Sequence, residues 1–130
     1  MKLNLFSFFS GSGFLDLGFE TNNFHIKMVN EFHPAFINAY IYSRKNMNLE
    51  LPEFGYQNTD INDFLNSRKN EISDYIAHSK AETMTGFIGG PPCPDFSVAG
   101  KNKGREGDNG KLSLSYVNSI IEFPPDFFLF

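Results

Sequence analysis

Leu3-Asn4-Leu5-Phe6-Ser7-Phe8-Phe9-Ser10-Gly11-Ser12-Gly13 (LNLFSFFSGSG) is a short, largely apolar run halted by a Ser-Gly-Ser-Gly segment. Such a run is too short for a typical helix, and glycines end it abruptly, so it reads as a buried strand entering a tight turn. Phe14, Leu15, Leu17, Gly18 and Phe19 then suit a short packed helix. His25 to Asn30 (HIKMVN) is a second strand, and Pro34 to Ile41 a helix with proline in its first turn. The chain therefore opens β-α-β-α.

The alternation continues. Tyr56 to Asn58 is a weak third strand, and Phe64, Leu65, Ile72, Tyr75 and Ile76 mark one helix between Phe64 and Ser79. Thr85 to Ile88 is a fourth strand ending at Gly89-Gly90, Leu112 to Phe123 a last helix, and Phe127 to Phe130 a fifth, apolar strand. Between Pro91 and Gly110 lies a stretch rich in Gly, Pro, Asn and Lys, longer than ordinary connections and of the kind that is functional or disordered. Strands alternating with helices predict an α/β fold, a parallel sheet with helices on both faces. In such sheets ligands bind beyond the carboxyl ends of the strands, where the chain order reverses. Ser10 to Gly13, Glu31, Asp60 and the Pro91 to Gly110 loop all follow strands, so they are expected to converge.

Composition narrows the possibilities. The chain has 130 residues, 41% of them hydrophobic with 16 Phe, enough for one domain with a sizeable core. Phe6, Phe8, Phe9, Phe127 and Phe128 are read as core. No window approaches a membrane span, and Met1 to Gly13 lacks the features of a signal peptide, so a cytoplasmic protein is expected. One cysteine excludes an internal disulfide and a thiolate-built metal site; no metal site is expected. A net charge of −4 requires any nucleic-acid contact to be local, and Lys101, Lys103 and Arg105 form the one cluster suited to it.

Each candidate residue has two readings. Gly11 and Gly13 permit a nucleotide to approach the backbone, or simply make a strand-to-helix turn. Asp16 stands where a dinucleotide fingerprint wants its third glycine, which disfavours a nicotinamide-type pyrophosphate site. Glu31, twenty residues after Gly11, is placed to accept the hydroxyls of an adenosine ribose, or is a solvated acid at a helix entry. Asp60 accepts from an adenine amino group or caps a helix. Cys93, among Pro91, Pro92 and Pro94, is an accessible loop thiol near Lys101 and Lys103, or an inert buried one. His25, His33 and His78 lack any local signature of a catalytic partner.

Taken in order, LFSFFSGSGFLDLGFE, NEFHPAF, Asp60-Ile61 and above all GGPPCPDFSVAGKNKG resemble the DNA cytosine-5 methyltransferase family over nearly the whole chain. The resemblance implies a Rossmann-like fold and S-adenosyl-L-methionine as cofactor. It also implies transfer of a methyl group to C5 of a cytosine flipped out of double-stranded DNA, in a restriction-modification setting. Cys93 would be the catalytic nucleophile. Phe9 and Ile61 would flank the adenine with Phe32, and Glu31 would hold the ribose. Ser10, Gly11, Ser12 and Gly13 would form the cofactor loop, whose glycines admit the methionine part; Asp60 would meet the adenine, and Pro92 and Leu112 would line the pocket. Ser97, Lys101 and Lys103 would face DNA phosphates.

The departures from the family are specific. Ser7 stands where the family often has an acid, Phe14 where it has a glycine and Pro94 where it commonly has glutamine. The family's Glu-Asn-Val motif, arginine motif, target-recognition domain and final helix have no counterpart in residues 1–130. The expectation is an N-terminal part of a catalytic domain, incomplete at its C-terminal side and inactive alone. It would be an artificial truncation, a truncated gene product, or a subunit whose missing half a second polypeptide supplies. An exposed final strand would promote self-association. The alternatives are a non-catalytic S-adenosylmethionine-binding or partner-binding fragment, and a tRNA cytosine-5 methyltransferase relative.

Overall fold

Residues Leu3–Phe8 form β1, which lies inside a parallel sheet and is buried along nearly its whole length. A strand covered on both faces needs apolar side chains pointing both ways, which is why the run barely alternates. The computed structural model describes residues 1–92 and 108–130. Among them β2 (Phe24–Asn30), β3 (Tyr56–Gln57), β4 (Thr85–Gly89) and β5 (Phe127–Leu129) complete a sheet in the order β3-β2-β1-β4-β5. Every pairing is parallel. The chain moves outward from β1 through β2 to β3, then crosses back to β4 on the other side of β1. The sheet's switch point is therefore between β1 and β4.

Helices cover both faces. Leu5, Ile26, Val29 and Ile88 pack with Tyr40 of α2 (Pro34–Asn46) and Phe19 of α1 (Phe14–Glu20). Phe6, Phe8, Met28 and Phe87 point the other way, into α3 (Ile61–Ser67), α4 (Lys69–Glu82) and α5 (Asp108–Glu122) through Phe64, Leu65, Ile72, Ile76 and Tyr116. The Phe8 ring lies 5.1 Å from that of Phe87 and 5.8 Å from that of Tyr116, both tilted, a favoured aromatic arrangement. Tyr116 also donates its hydroxyl to the Leu129 carbonyl at 2.9 Å, which ties α5 to β5. Burial raises the pKa of that phenol.

Local chemistry sets the boundaries. Pro34 opens α2, where its missing N–H is harmless, and Asn48 in the left-handed region (φ 53°) follows the helix end. The single helix expected over Phe64 to Ser79 is two. α3 begins earlier, at Ile61, because Asp60 accepts the Asn62 N–H at 2.8 Å. It ends at Arg68, whose backbone leaves the helical region (φ −126°, ψ 30°) while its side chain pairs with Glu71 and Gln57. α5 begins at Asp108, one turn before the expected Leu112.

Three apolar assignments need correction. Phe14 and Leu15 are not packed: they are 84% and 43% exposed, and the residue α1 buries is Asp16. Phe128 is not core but 58% exposed. β5 itself pairs with β4 through Gly86, Phe87 and Ile88, and its other edge has no strand beside it among the described residues. No helix of the described residues is long and apolar enough to cross a membrane.

Candidate functional site

A cleft of about 420 Å³ opens at the carboxyl ends of the strands, lined from four connections and the second turn of α5. Phe9 and Gly11 come from the turn after β1, Asn30 and Glu31 from the end of β2, Asp60 and Ile61 from the start of α3. Gly90 and Pro92 follow β4, and Leu112 closes the wall from α5. The segments expected to converge do so, wherever they are described. Ser10, Ser12 and Gly13 do not line the cleft.

Glu31 organises one end. It is 7% exposed, and its carboxylate oxygens accept from two backbone donors, Gly11 N–H at 2.9 Å and His33 N–H at 2.8 Å. A carboxylate oxygen has more than one acceptor site, so both remain able to take a hydroxyl hydrogen. Asn58 fixes the adjacent backbone, donating to the Glu31 and Phe32 carbonyls at 2.8 and 2.9 Å. Asn30 donates to the carbonyls of Gln57 and Thr59, both at 3.0 Å, locking the β2 and β3 ends together. At the other end Asp60 serves as the helix cap and lines the cleft as well.

The glycine turn divides its labour. Phe9 has a φ of 52°, uncommon for a bulky residue, and strain of this kind concentrates at functional sites. Gly11 also has positive φ (57°), and a Cβ there would meet nothing within 4 Å. Gly13 (φ 87°) differs: a Cβ would come within 2.5 Å of the Tyr40 ring. Its lack of a side chain serves packing against α2.

Behind the turn lies a buried polar group. Ser7 and Tyr40 donate to the two oxygens of Asp16 at 2.9 and 2.8 Å. Burial raises the Asp16 pKa, and those two hydrogen bonds only partly oppose it. The Tyr40 phenol is raised as well, by burial and then by the neighbouring Asp16 charge.

Two members of the aromatic rim, His33 and Phe36, were not legible in the sequence. His33 and Phe36 line the cleft beside Phe32, with His33 edge-on to both rings at 5.5 and 5.2 Å. Asn30 and Thr59 were also missed; a buried Asn at a strand end beside an acid was the available signal. The cleft lining carries two acids, one histidine and, among the described residues, no lysine or arginine. Cys93, Ser97, Lys101 and Lys103 lie outside the described residues. Elsewhere Glu53, His78 and Glu82 cluster at the surface, where Lys27 already bonds both carboxylates, Glu82 at 2.8 Å.

The sheet order and a cleft at the switch point define a Rossmann-like α/β domain. The chain belongs to the C-5 cytosine-specific DNA methylase family, whose model matches residues 3–130. It is 53% identical to the type II methyltransferase M.NmeDI of Neisseria meningitidis serogroup C, over 99% of this chain and 31% of that protein. Identity to the type II methyltransferase M.MthTI of Methanothermobacter thermautotrophicus is 32%, over 99% of this chain and 33% of that one. A crystal structure of an E. coli prophage protein described as a DNA modification methyltransferase superposes with a TM-score of 0.66 at 26% identity. The match covers 98% of this chain and 31% of that chain. The chain thus spans about a third of the length of the relatives it matches.

Proposed function

We propose that this chain carries the cofactor cleft and the nucleophile of an enzyme that methylates C5 of cytosine in double-stranded DNA within a restriction-modification system. The cofactor is S-adenosylmethionine. The observation that carries this reading is Glu31, a buried carboxylate aimed into the cleft by Gly11 N–H and His33 N–H. A carboxylate so held suits a ribose diol.

The rest of the lining fits that cofactor. Two acids without lysine or arginine among the described lining residues disfavour a phosphate-bearing nucleotide and suit a nucleoside whose charge is a sulfonium. Phe9, Phe32 and Ile61 offer apolar surface for the adenine faces, Asp60 an acceptor for its amino group, and Pro92 and Leu112 the remaining wall. When bound, the cofactor supplies an electrophilic methyl group.

The chemistry on the base belongs to Cys93 by family resemblance. Its thiolate adds to C6 of cytosine, and the electron pair released to the ring makes C5 nucleophilic. C5 would take the methyl group as the methyl–sulfur bond breaks and S-adenosylhomocysteine departs; loss of the C5 proton to a base would then expel Cys93 as the thiolate that began the cycle. Ser97, Lys101 and Lys103 contact phosphates and hold the strand.

Calorimetric titration of S-adenosylhomocysteine into the chain and into Glu31→Ala tests the cleft. Micromolar binding to the wild type and its loss in the variant are expected; equal binding by both refutes the role of Glu31. The nucleophile is tested with a fluorocytosine duplex and the chain joined by a polypeptide matching the remaining two thirds of M.NmeDI. A covalent adduct with the wild type and none with Cys93→Ser is the expected result. An adduct formed equally by Cys93→Ser would end the assignment.

A further inference from the structure

We propose that Arg44 is a positioning residue for the glycine turn, and that through it α2 sets the shape of the cleft beside that turn, where the family resemblance puts the amino-acid arm of the cofactor. The proposal rests on the cofactor reading above.

Arg44 is a cation on the thirteen-residue helix α2, yet it is only 2% exposed. Its guanidinium meets groups from both ends of α1. Nη2 donates to the carbonyl of Gly13, the residue preceding α1, at 2.6 Å. Nε and Nη2 lie 2.8 and 2.7 Å from Oε2 of Glu20, the last residue of α1. The Gly13 carbonyl also accepts the Leu17 N–H at 2.9 Å, so Arg44 secures the first hydrogen bond of that helix. Beneath the guanidinium, 4.1 Å from its carbon, lies the Tyr40 ring, against which Gly13 packs.

The turn is thus held at two points. Glu31 holds Gly11 N–H from the cleft side, and Arg44 holds the Gly13 carbonyl from behind. Gly13 N–H closes the turn onto the Ser10 carbonyl at 3.0 Å. Glu31 lies three residues before α2 and Arg44 near its end, so a shift of this helix moves both anchors together. Only a planar fork with several donors reaches a carbonyl and a carboxylate at once while stacking on a ring; a lysine ammonium does not. Releasing the rear anchor leaves Glu31 and Asp60 in place but lets the turn drift. Recognition of the adenosine part then survives, and recognition of the amino-acid arm suffers.

That split distinguishes a positioning role from a general structural one. Affinities of S-adenosylhomocysteine and of adenosine are measured by calorimetry on the wild-type chain, Arg44→Lys, and the double variant Arg44→Met with Glu20→Gln. The double variant removes both buried charges together, so neither is left unpaired. Loss of a charge-assisted hydrogen bond predicts S-adenosylhomocysteine binding weaker by on the order of tenfold in both variants. Adenosine binding is expected to stay within about twofold, because its contacts are not among those removed. Equal weakening of both ligands, or of neither, overturns the proposal. So does loss of the native circular dichroism spectrum in both variants, since Arg44 is then a folding requirement. If the wild type binds neither ligand, the cofactor reading itself fails, an outcome separate from any difference between variants.

Discussion

Gly13→Ala tests the division of labour within the glycine turn, with Gly11→Ala as its control. Both positions have positive φ, 57° at Gly11 and 87° at Gly13, so an alanine at either costs about 1–2 kcal/mol of backbone strain. At Gly11 that is the whole effect on stability, because the new methyl meets nothing within 4 Å. At Gly13 the methyl lies 2.5 Å from two carbons of the Tyr40 ring and 2.9 Å from Arg44 Nη2, so the ring must move. Moving it weakens the 2.8 Å hydrogen bond from Tyr40 to the buried Asp16, a further loss of about 1–3 kcal/mol. Gly13→Ala should therefore destabilise by roughly 3 kcal/mol and Gly11→Ala by about 1 kcal/mol. For a chain of this length the first corresponds to a fall in Tm on the order of 10 °C and the second to a few degrees. Urea unfolding followed by circular dichroism, with a common m value, measures both. Gly11→Ala should instead weaken S-adenosylhomocysteine binding, since its methyl enters the cleft. Equal destabilisation by the two variants, or a milder Gly13→Ala, would refute the packing role assigned to Gly13.

Other perturbations have equally specific outcomes. The Asp126 carboxylate accepts the Thr85 N–H at 2.8 Å and pairs with Lys80 at 3.2 Å, which lowers its pKa from the ordinary value of 3.8. A lowered folded-state pKa stabilises above pH 3.8, and that stability is lost as pH falls further. Asp126→Asn should cost about 1 kcal/mol at pH 7, and the difference should vanish in acid; a pH-independent difference in chemical denaturation refutes it. Burial alone would pull the Lys27 pKa down, but its bonds to Glu53 and Glu82 raise it overall. Lys27→Met should therefore destabilise most near neutral pH and less once the two carboxylates are protonated; melting curves showing the reverse trend would exclude this. At the edge of β5 that has no strand beside it among the described residues, Phe128, Leu129 and Phe130 are 58%, 44% and 63% exposed. Sedimentation should show concentration-dependent association that Phe128→Lys reduces, whereas a strict monomer at high concentration rules out association through this edge.

The succession of strands and helices was legible because each strand's burial and each turn's chemistry are local. Leu3–Phe8 had to be apolar on both faces, and Gly11 and Gly13 had to follow it to reverse the chain. Convergence at the carboxyl edge follows from parallel topology alone. The break at Arg68 was not legible, because no Gly or Pro marks it. The Arg68 side chain instead pairs there with Glu71 of the next helix and with Gln57 of β3, a partner the helix pattern does not contain. Nor does hydrophobicity distinguish a core Phe from one on a rim: Phe6 is fully buried, whereas Phe14, Phe32 and Phe36 stand exposed.

The polar residues behind the site show why chemistry of this kind is hard to read from a chain. Ser7 and Asp16 are nine positions apart, and each departs from what a glycine-loop fingerprint or its family leads one to expect. Folded, they are one unit: the Asp16 carboxylate takes the Ser7 hydroxyl on one oxygen and the Tyr40 hydroxyl on the other. A fingerprint compares positions singly, whereas burial of a carboxyl group constrains all its partners at once. Arg44 follows the same logic. A cation near the end of an exposed-looking helix is ordinarily solvated, and only the meeting of Glu20, the Gly13 carbonyl and the Tyr40 face makes its burial tolerable. Those three partners come from two helices and the turn between β1 and α1. Most of the residues that line the cleft were therefore traceable through single positions, while the residues that hold them in place required the fold.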